Sequence, residues 1–363
     1  MLSLILPTYN EAENLPELLP NVEKALAGIP FEVIVVDDDS PDETWKVALA
    51  LSQDRPFLHV IRRVGRRGLS SAVIEGFLAA KGDTFAVMDA DGQHDSGLLR
   101  TLADATTSGS DLAVGSRYVS GGSIGEWDER RHLLSRIATR MGQMVCRVKI
   151  SDPMSGFFAL RRSLFESVRS SLNPKGFKIL LDLLVHIPKE TRVTEHPFTF
   201  KGRMHGASKM SRKVQIEFLE YLYDVTAGKY ISLTFVKYCI VGLSGVVVNV
   251  AAYWLYASLL GVRSEEQFLG FSIAVVASIE TAVLNNFLWN NLWTFAHKRL
   301  RGRGLVWGFL TFNAACAVGA LVNYAASAFL VLKGLSDLLA VTIGAFTAVL
   351  WNYVMNKMFT WRD

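Results

Sequence analysis

The segment that decides the fold is Phe85-Ala86-Val87-Met88-Asp89-Ala90-Asp91-Gly92-Gln93-His94. Its first four residues form a short apolar run typical of a buried strand, and two carboxylates one residue apart follow directly. In open α/β sheets, ligands bind at the carboxyl ends of the parallel strands. Acidic side chains at that position indicate a divalent cation and the phosphates it carries. An isolated Asp-x-Asp could equally be a turn in which Asp89 caps the next segment, so the surrounding sequence has to decide.

Three earlier segments have the same order of strand, loop and helix. Their apolar strands are predicted at residues 2–6, 31–36 and 58–61, and a further strand at residues 111–115. Strands that alternate with helices in this way predict an α/β domain with a doubly wound, mainly parallel sheet and right-handed crossovers. The strand ends near Pro7, Asp37 and Asp89 would then line one cleft.

Composition divides the chain into two parts. Half of the 363 residues are hydrophobic, and apolar residues dominate from about residue 232 almost to the end. The net charge of +4 gives no reason to expect a nucleic-acid partner. The three cysteines form no C-x-x-C pair, which argues against a disulfide framework or a zinc site. The N-terminus is apolar without a charged leader and is read as the first strand, not as a signal peptide.

Four apolar segments, at residues 233–260, 268–295, 305–332 and 338–361, are each long enough to cross a bilayer as a helix. The link between the second and third is strongly basic, whereas the other two links carry only Arg263 and Lys333. By the positive-inside rule the basic link is cytoplasmic, and so is the N-terminal domain. The protein is therefore expected to be a multi-pass protein of the cell membrane.

The membrane half contains an internal repeat. The segment at residues 286–295 returns at residues 352–361, and residues 245–249 return at 319–323, each time with asparagines and aromatic residues in matching places. Two similar helix pairs of like orientation are expected from this. Glu280 and the asparagines are costly in lipid and are expected to face the interior of the bundle, either lining a headgroup path or bonding between helices.

Two basic amphipathic helices are predicted at residues 130–148 and 208–226. The first places leucines, isoleucine and methionines on one side and Arg136, Arg140 and Arg147 elsewhere. This pattern is typical of a helix that lies in a membrane interface, although a core-facing surface helix gives a similar pattern. The predicted domains are residues 1–230, which include both interface helices, and the four membrane helices of residues 231–363.

Five motifs in order resemble family 2 glycosyltransferases that act on polyprenyl phosphates, and the pattern is nearest to the members that transfer mannose. They are Pro7-Thr8-Tyr9-Asn10-Glu11, Val35-Val36-Asp37-Asp38-Asp39-Ser40, Met88 to His94, Gly115-Ser116-Arg117-Tyr118 and Ser151-Asp152-Pro153-Met154-Ser155-Gly156-Phe157. The C-terminal half resembles the GtrA-like four-helix membrane domain. The resemblance implies a hexosyltransferase that uses a nucleotide sugar, with GDP-mannose preferred, and a polyprenyl or dolichyl phosphate at the lipid bilayer.

The resemblance also implies which residues form the site. The nucleotide sugar would be held by Pro7, Tyr9, Glu11, Asp37 and Asp39. A Mg²⁺ or Mn²⁺ ion would be held by Asp89, Asp91 and Gln93. The acceptor phosphate would be held by Arg117, Arg131 and Ser135, with further basic contacts from Lys178, Arg203 and Lys209. Asp91, Arg117 and Arg131 are the predicted catalytic residues.

The chemistry of the acceptor bears on the mechanism. A phosphate monoester with a second pKa of about 6 is already largely dianionic at neutral pH, so a dedicated general base is unnecessary. We expect a direct, inverting displacement in which metal and arginines position two anions that would otherwise repel each other.

Three alternatives stay open on the sequence. UDP-glucose or a UDP-N-acetylhexosamine could replace GDP-mannose as donor. A processive polysaccharide synthase would need Gln-x-x-Arg-Trp, and the nearest candidate, Gln143 to Arg147-Val148, has the wrong spacing and no tryptophan. A lipid-linked sugar translocase or membrane scaffold would leave the intact acidic motif unexplained.

Overall fold

The structure is a computed structural model that describes residues 1–125, 129–174, 178–202, 212–261 and 268–362. In the helices that begin at residues 129, 212 and 268, side chains are described from residues 132, 214 and 272 onward. The chain forms two compact units, Met1–Thr226 and Ala227–Asp363. Each unit is described by itself.

Unit 1 is built on a mixed sheet of seven strands in the order β3-β2-β1-β4-β6-β5-β7. The strands are β1 (Leu2–Thr8), β2 (Phe31–Asp37), β3 (Leu58–Arg62), β4 (Thr84–Val87), β5 (Leu112–Ser116), β6 (Phe158–Arg161) and β7 (Val193–Pro197). Strands β1 to β4 pair in parallel, as do β5 and β7, and β6 runs antiparallel between β4 and β5. The predicted α/β architecture with a mainly parallel sheet is confirmed.

The eight helices described in unit 1 connect and cover these strands. They are α1 (Leu15–Ala25), α2 (Thr44–Ser52), α3 (Leu69–Ala79), α4 (Leu98–Thr107), α5 (Glu129–Val145), α6 (Arg162–Val168), α7 (Ile179–His186) and α8 (Arg212–Val225). Alternation along the strands sends successive side chains to opposite faces. Ile5 and Phe85 pack under α3, α6 and α7, while Leu4 and Met88 pack under α1 and α4. Two buried cores therefore hold the strand ends in fixed register.

Helices α5 and α8 pack against each other and still expose apolar surface. Phe218 and Leu222 of α8 join Met141 and Val145 of α5 in one cluster. Large apolar side chains on the outer faces stay exposed, namely Leu133, Leu134, Ile137 and Met144 on α5 and Ile216 and Leu219 on α8. Helices thus occur where the basic amphipathic segments were predicted, and their contact with a bilayer stays a prediction.

Unit 2 contains four helices long and apolar enough to span a membrane. They are α9 (Leu233–Leu259), α10 (Phe268–Trp289), α11 (Arg303–Leu332) and α12 (Asp337–Met355). Both α10 and α12 continue into a π-helical turn, at Asn290–Thr294 and Asn356–Thr360. The four predicted spans are confirmed, because their length and hydropathy left little room for another structure.

The internal repeat appears in the packing of unit 2. Gly245 of α9 lies against the Asn286 side chain of α10, and Gly319 of α11 lies against Asn352 of α12 in the same way. Phe295 and Trp361, which follow the two π-helical turns, stack with ring centroids 4.5 Å apart. The two helix pairs therefore use the same close contact twice and meet through matching aromatic rings.

Glu280 differs from the expectation that it faces the interior of the bundle. Glu280 is exposed, and its carboxylate accepts a hydrogen bond of 2.7 Å from the Asn313 amide on α11. The expectation was wrong because an amide on a neighbouring helix can satisfy a carboxylate at the edge of the bundle as well as in its interior.

Candidate active site

The acidic loop follows directly after β4. Gly92 adopts a φ of 74°, which favours glycine, and the loop turns there so that Asp91 and Gln93 become buried. The Gln93 N–H donates to Asp91 Oδ1 at 3.1 Å, and the Gln93 side-chain amide donates to the Lys201 carbonyl at 3.0 Å. The side chain of Asp89, by contrast, is 37% exposed. The loop is thus held from both sides, and the Asp89 carboxylate is its partly exposed acid.

His94 is locked as a neutral imidazole beneath Asp89. The Asp89 N–H donates to His94 Nδ1 at 3.2 Å, so Nδ1 is unprotonated and the ring proton is on Nε2. Burial lowers the pKa of His94 to about 4. The ring also stacks on Phe157, with centroids 5.0 Å apart, and its Nε2 lies 4.0 Å from Asp89 Oδ2. His94 therefore supports the backbone and carboxylate of Asp89 without adding charge.

A small cavity of about 90 Å³ opens beside this loop. Its polar lining includes Asp89, His94, Arg117 and Lys178. A Cβ atom on Gly156 would lie 3.0 Å from Asp89 Oδ2, so the glycine leaves room for that carboxylate. One acidic and two basic side chains thus face the same small space.

The predicted metal ligands fit a hard divalent cation. Asp89 and Asp91 supply carboxylate oxygens, and Gln93 supplies an amide oxygen once its NH₂ group donates to Lys201. Oxygen donors of this kind suit Mg²⁺ and Mn²⁺. Within the described part of the chain, three or more His, Cys, Asp or Glu side chains do not come together as a metal site. These three side chains would hold such a cation together with ligands from outside the protein.

Arg117 is held by Asp152. Arg117 Nε and Nη2 donate to the two oxygens of Asp152 at 2.7 and 2.8 Å, and the Arg117 backbone N–H donates to Asp152 Oδ2 at 3.2 Å. Burial works to lower the pKa of the Arg117 guanidinium, but the hydrogen bonds and charge of Asp152 outweigh it and raise the pKa. Two of the donor groups predicted for the acceptor phosphate are thereby engaged within the protein, and the pair fixes the guanidinium at the cavity wall.

Lys178 lies on the wall of the same cavity as Arg117. Its ammonium donates to the Met154 carbonyl at 3.1 Å. Burial lowers the pKa of Lys178, and the charge of Arg117 lowers it further, against the opposite effect of Asp89 and Asp152. A second cation near Arg117 makes the cavity attractive to an anion.

Asp37 is fully buried at the end of β2, and its carboxylate is occupied. It accepts hydrogen bonds from the Ser40 N–H at 2.9 Å, the Ser40 hydroxyl at 2.5 Å and the Thr8 hydroxyl at 3.0 Å. These bonds tie the ends of β1 and β2 together. Asp37 therefore positions the loop, and the prediction that it also contacts the nucleotide stays a prediction.

The next two acids of the same motif pair with arginines at the end of β3 and directly after it. The Asp38 carboxylate accepts hydrogen bonds from Arg63 Nη1 at 2.5 Å and from the Gly68 N–H at 2.7 Å. Burial raises the pKa of Asp38, against the opposing effect of the Gly68 N–H and Arg63. Asp39, predicted to hold the nucleotide, forms an ion pair with Arg62 at 2.6 Å and is partly exposed.

The remaining predicted nucleotide residues lie on β1 and the loop after it. Pro7 is a buried residue of β1, and the guanidinium carbon of Arg67 lies 4.8 Å from the centroid of the Tyr9 ring. Glu11 is buried, accepts a hydrogen bond of 2.6 Å from the Asn14 amide, and donates its own N–H to Thr44 at 2.9 Å. Strand β1 therefore brings these residues to the same sheet edge as Asp37.

The predicted acceptor residues are only partly described. The Ser135 hydroxyl on α5 pairs with the Tyr118 hydroxyl at 2.9 Å, next in the chain to Arg117. Arg131 belongs to α5, but its side chain is outside the described residues, as are Arg203 and Lys209. Their predicted roles stay predictions.

Asp152, Glu195 and His94 were given no role on the sequence. Asp152 and His94 stood inside motifs that had been recognised, so their positions were visible but their partners were not. Glu195 accepts the N–H groups of Ser151 and Asp152 at 2.8 and 3.1 Å and shapes the turn that carries Asp152. It lies in β7, a strand with little apolar character that was not predicted.

This sheet, with an acidic loop after its fourth strand and arginine beside it, is that of a GT-A-type glycosyltransferase. The profile of glycosyl transferase family 2 matches residues 3–169, and that of the GtrA/DPMS transmembrane domain matches residues 237–361. The chain belongs to glycosyl transferase family 2 and is a multi-pass membrane protein with a GtrA/DPMS transmembrane domain.

Similar proteins extend over the whole chain. A dolichol-phosphate mannosyltransferase of Pyrococcus furiosus is 43% identical over 99% of both chains. A polyprenol monophosphomannose synthase of Mycolicibacterium smegmatis is 40% identical over 57% of this chain and 80% of its own. A crystal structure of glucosyl-3-phosphoglycerate synthase from Mycobacterium tuberculosis with Mn²⁺, UDP-glucose and phosphoglyceric acid is 19% identical. It covers 62% of this chain and 79% of its own, with a TM-score of 0.46.

Proposed function

We propose that this chain transfers mannose from GDP-mannose to a polyprenyl phosphate of the dolichyl type. The observation that carries the proposal is similarity of 43% identity along the full chain, membrane helices included, to a dolichol-phosphate mannosyltransferase. The cavity lined by Asp89, Arg117 and Lys178 supports it, because both substrates bring phosphate groups to the reaction. The catalytic domain would comprise residues 1–230 and the membrane domain residues 231–363.

In the proposed reaction, a phosphate oxygen of the acceptor attacks the anomeric carbon of mannose. The new bond forms as the bond to the diphosphate oxygen breaks, so the configuration inverts and GDP leaves. The acceptor dianion needs no base at neutral pH. His94 fits this scheme, because a buried neutral ring whose pKa is lowered to about 4 supports Asp89 and is a poor proton acceptor.

One set of residues would bind the nucleotide diphosphate, and another would bind the acceptor phosphate. Asp89, Asp91 and Gln93 would hold Mg²⁺ or Mn²⁺, which when bound would neutralise charge on the departing diphosphate. Pro7, Tyr9, Glu11 and Asp39 would lie along the nucleotide, with Asp37 holding their loop. Arg117, fixed by Asp152, would orient the acceptor phosphate together with Lys178, Arg131 and Ser135.

The membrane orientation is also proposed. The link after α10 carries His297, Lys298, Arg299, Arg301 and Arg303, which by the positive-inside rule places it on the cytoplasmic side. Two spans, α9 and α10, lie between the N-terminus of α9 and this link, so the N-terminus of α9 would lie on that side too. The glycosyltransferase unit that precedes α9 would then meet cytoplasmic GDP-mannose.

The test is transfer by the purified full-length protein in detergent. Labelled GDP-mannose, UDP-glucose and UDP-N-acetylglucosamine are each offered with polyprenyl phosphate, and the lipid product is identified by mass. We expect a mannosyl phospholipid from GDP-mannose alone. Product from a UDP sugar and none from GDP-mannose would refute the assignment of GDP-mannose as the donor. No transfer from any donor would favour a translocase or scaffold.

Variants test the assignment of residues in the same assay. Asp91→Asn and Arg117→Ala are expected to lower kcat by about 100-fold or more, since the first removes a carboxylate that would hold the metal and the second removes the positive charge that would orient the acceptor phosphate. Asp104→Asn is the control, because Asp104 pairs with Arg100 on the exposed surface of α4. Near-normal transfer by both active-site variants would overturn the assignment.

A further inference from the structure

A second, larger cavity lies along α5. This basic groove has a volume of about 480 Å³ and is lined by residues that include Tyr118, Arg136, Thr139, Arg140 and Lys149. None of its lining residues lines the small cavity that holds Asp89 and Arg117. The groove is therefore a separate feature of unit 1.

The cations of the basic groove have no acidic partners in the described part of the chain. Arg136, Arg140 and Lys149 are exposed and form no ion pair there. The one carboxylate on the wall is Glu195, and its two oxygens accept the Ser151 and Asp152 N–H groups. Three positive charges thus face a space in which the only negative charge is already hydrogen-bonded.

The groove is structurally defined on both sides. The Gln143 amide of α5 donates to the carbonyls of Ile150 and Ser151, both at 3.1 Å, and so fixes the segment that carries Lys149 beside the helix. Thr139 on the floor is 6% exposed, and its hydroxyl oxygen has no hydrogen-bond partner among the described residues. A tetrahedral anion would find guanidinium, ammonium and hydroxyl donors together.

The surface next to the groove indicates the source of the anion. Leu133, Ile137 and Met144 are 60%, 47% and 84% exposed, and helical spacing places them on the strip of α5 beside Arg140 and Arg136. A helix with an exposed apolar strip bordered by unpaired arginines favours a bilayer that contains anionic lipids. The apolar strip suits acyl chains and the groove suits a charged headgroup.

We propose that the basic groove binds the phosphate of an anionic bilayer phospholipid, at a site distinct from that of the acceptor. The lipid would hold α5 at the membrane surface, while Arg117, which lines the small cavity, would contact the acceptor phosphate there. The site would make activity respond to the anionic lipid content of the bilayer.

The test measures binding of dioctanoyl phosphatidylglycerol to the full-length protein in detergent, with dioctanoyl phosphatidylcholine and inorganic phosphate as comparison ligands. We expect phosphatidylglycerol to bind at least tenfold more tightly than either. The double variant Arg136→Gln/Arg140→Gln should weaken its binding at least tenfold, and Lys149→Gln should weaken it less. Arg147→Gln is the matched control, because Arg147 is exposed just beyond α5 and does not line the groove; it should change binding less than twofold.

Several outcomes would overturn the proposal. Equal binding of phosphatidylglycerol by wild type and the double variant would show that the groove is not the site, and equal affinity for inorganic phosphate would show a free-anion site. A higher KM for polyprenyl phosphate in the double variant than in wild type, both measured in wholly phosphatidylcholine nanodiscs, would assign the groove to the acceptor. Failure of the proposed function looks different, because then wild type transfers no mannose whatever lipid is bound.

Discussion

At the scale of single residues, the site depends on side chains that hold other side chains. Asp152 fixes Arg117, His94 supports Asp89, and Asp37 joins two strand ends through Ser40 and Thr8. The Asp152 contact and the Asp37–Thr8 contact join segments that are distant in the sequence. The His94 contact lies within a single loop. The chemistry of the acids could be predicted from residue type and strand position, whereas these partners depend on tertiary packing that spacing does not encode.

Asp152→Asn tests the contact that fixes Arg117. The amide keeps the size of the carboxylate but removes the charge that pairs with Arg117, whose side chain is 9% exposed. Breaking a buried pair leaves an uncompensated charge, so we expect a loss of about 3 kcal/mol in stability together with at least a tenfold fall in kcat. Thermal unfolding and steady-state transfer by the full-length protein in detergent measure the two effects.

Asp111→Asn is the control for that substitution. Asp111 also faces an arginine with both oxygens, but its partner Arg192 is 64% exposed, where a pair contributes less than about 1 kcal/mol. Equal losses in the two variants would mean that burial of the Arg117–Asp152 pair has no special effect.

At the scale of elements, the strands and helices that could be predicted are those with strong periodicity. The four leading strands end in polar loops and the four membrane helices are long and apolar, so both types were evident. Strand β7, with the sequence Val-Thr-Glu-His-Pro, lacks an apolar run and was missed. The antiparallel direction of β6 was also not predictable, because direction in a sheet is set by the connections around a strand and not by its own residues.

Helix α8 is attached to the sheet unit by a polar contact as well as by apolar packing. The Tyr221 hydroxyl of α8 donates to Asp182 Oδ1 on α7 at 2.8 Å, and the Asn173 N–H donates to the other oxygen at 2.6 Å. Burial raises the pKa of Asp182. A buried carboxylate of this kind depends on its hydrogen bonds, so the tyrosine anchors the helix that follows the predicted contacts Arg203 and Lys209.

Tyr221→Phe is expected to loosen α8 without unfolding unit 1. Loss of a hydrogen bond to a buried acceptor costs about 1 to 2 kcal/mol. Hydrogen exchange of residues 214–225 should accelerate about tenfold, while exchange in β1 and β2 stays unchanged. Tyr230→Phe serves as control, since Tyr230 is 89% exposed. Unchanged exchange in α8 would show that apolar packing alone holds the helix.

At the scale of the whole molecule, the membrane unit is two copies of one helix pair. Gly245 and Gly319 occupy equivalent places, each against an asparagine of the next helix. The sequence repeat predicted the duplication, because glycines and asparagines recur at matching positions. It did not predict the π-helical turns, after which Phe295 and Trp361 stack at the junction of the copies.

Gly245→Ala and Gly319→Ala test this equivalence. An added Cβ atom would overlap the Asn286 or Asn352 side chain, so each variant should lose about 1 to 3 kcal/mol through overpacking. The thermal midpoint of the full-length protein in detergent should fall by similar amounts in both. Gly242→Ala, one turn away in α9 with no atom within 4 Å of its added Cβ, should leave the midpoint unchanged. A loss confined to one copy would show that the two pairs are not equivalent in energy.

The duplication has a consequence for how this membrane domain is made and how it arose. Each hairpin leaves and re-enters the same side of the bilayer, carries its own glycine–asparagine contact, and presents one aromatic ring to its twin. A gene for a single hairpin that assembled in pairs would already have encoded the whole domain. Fusion of two such genes would need only a connector, and the residues between α10 and α11 form one, with the basic side chains on which the proposed orientation rests.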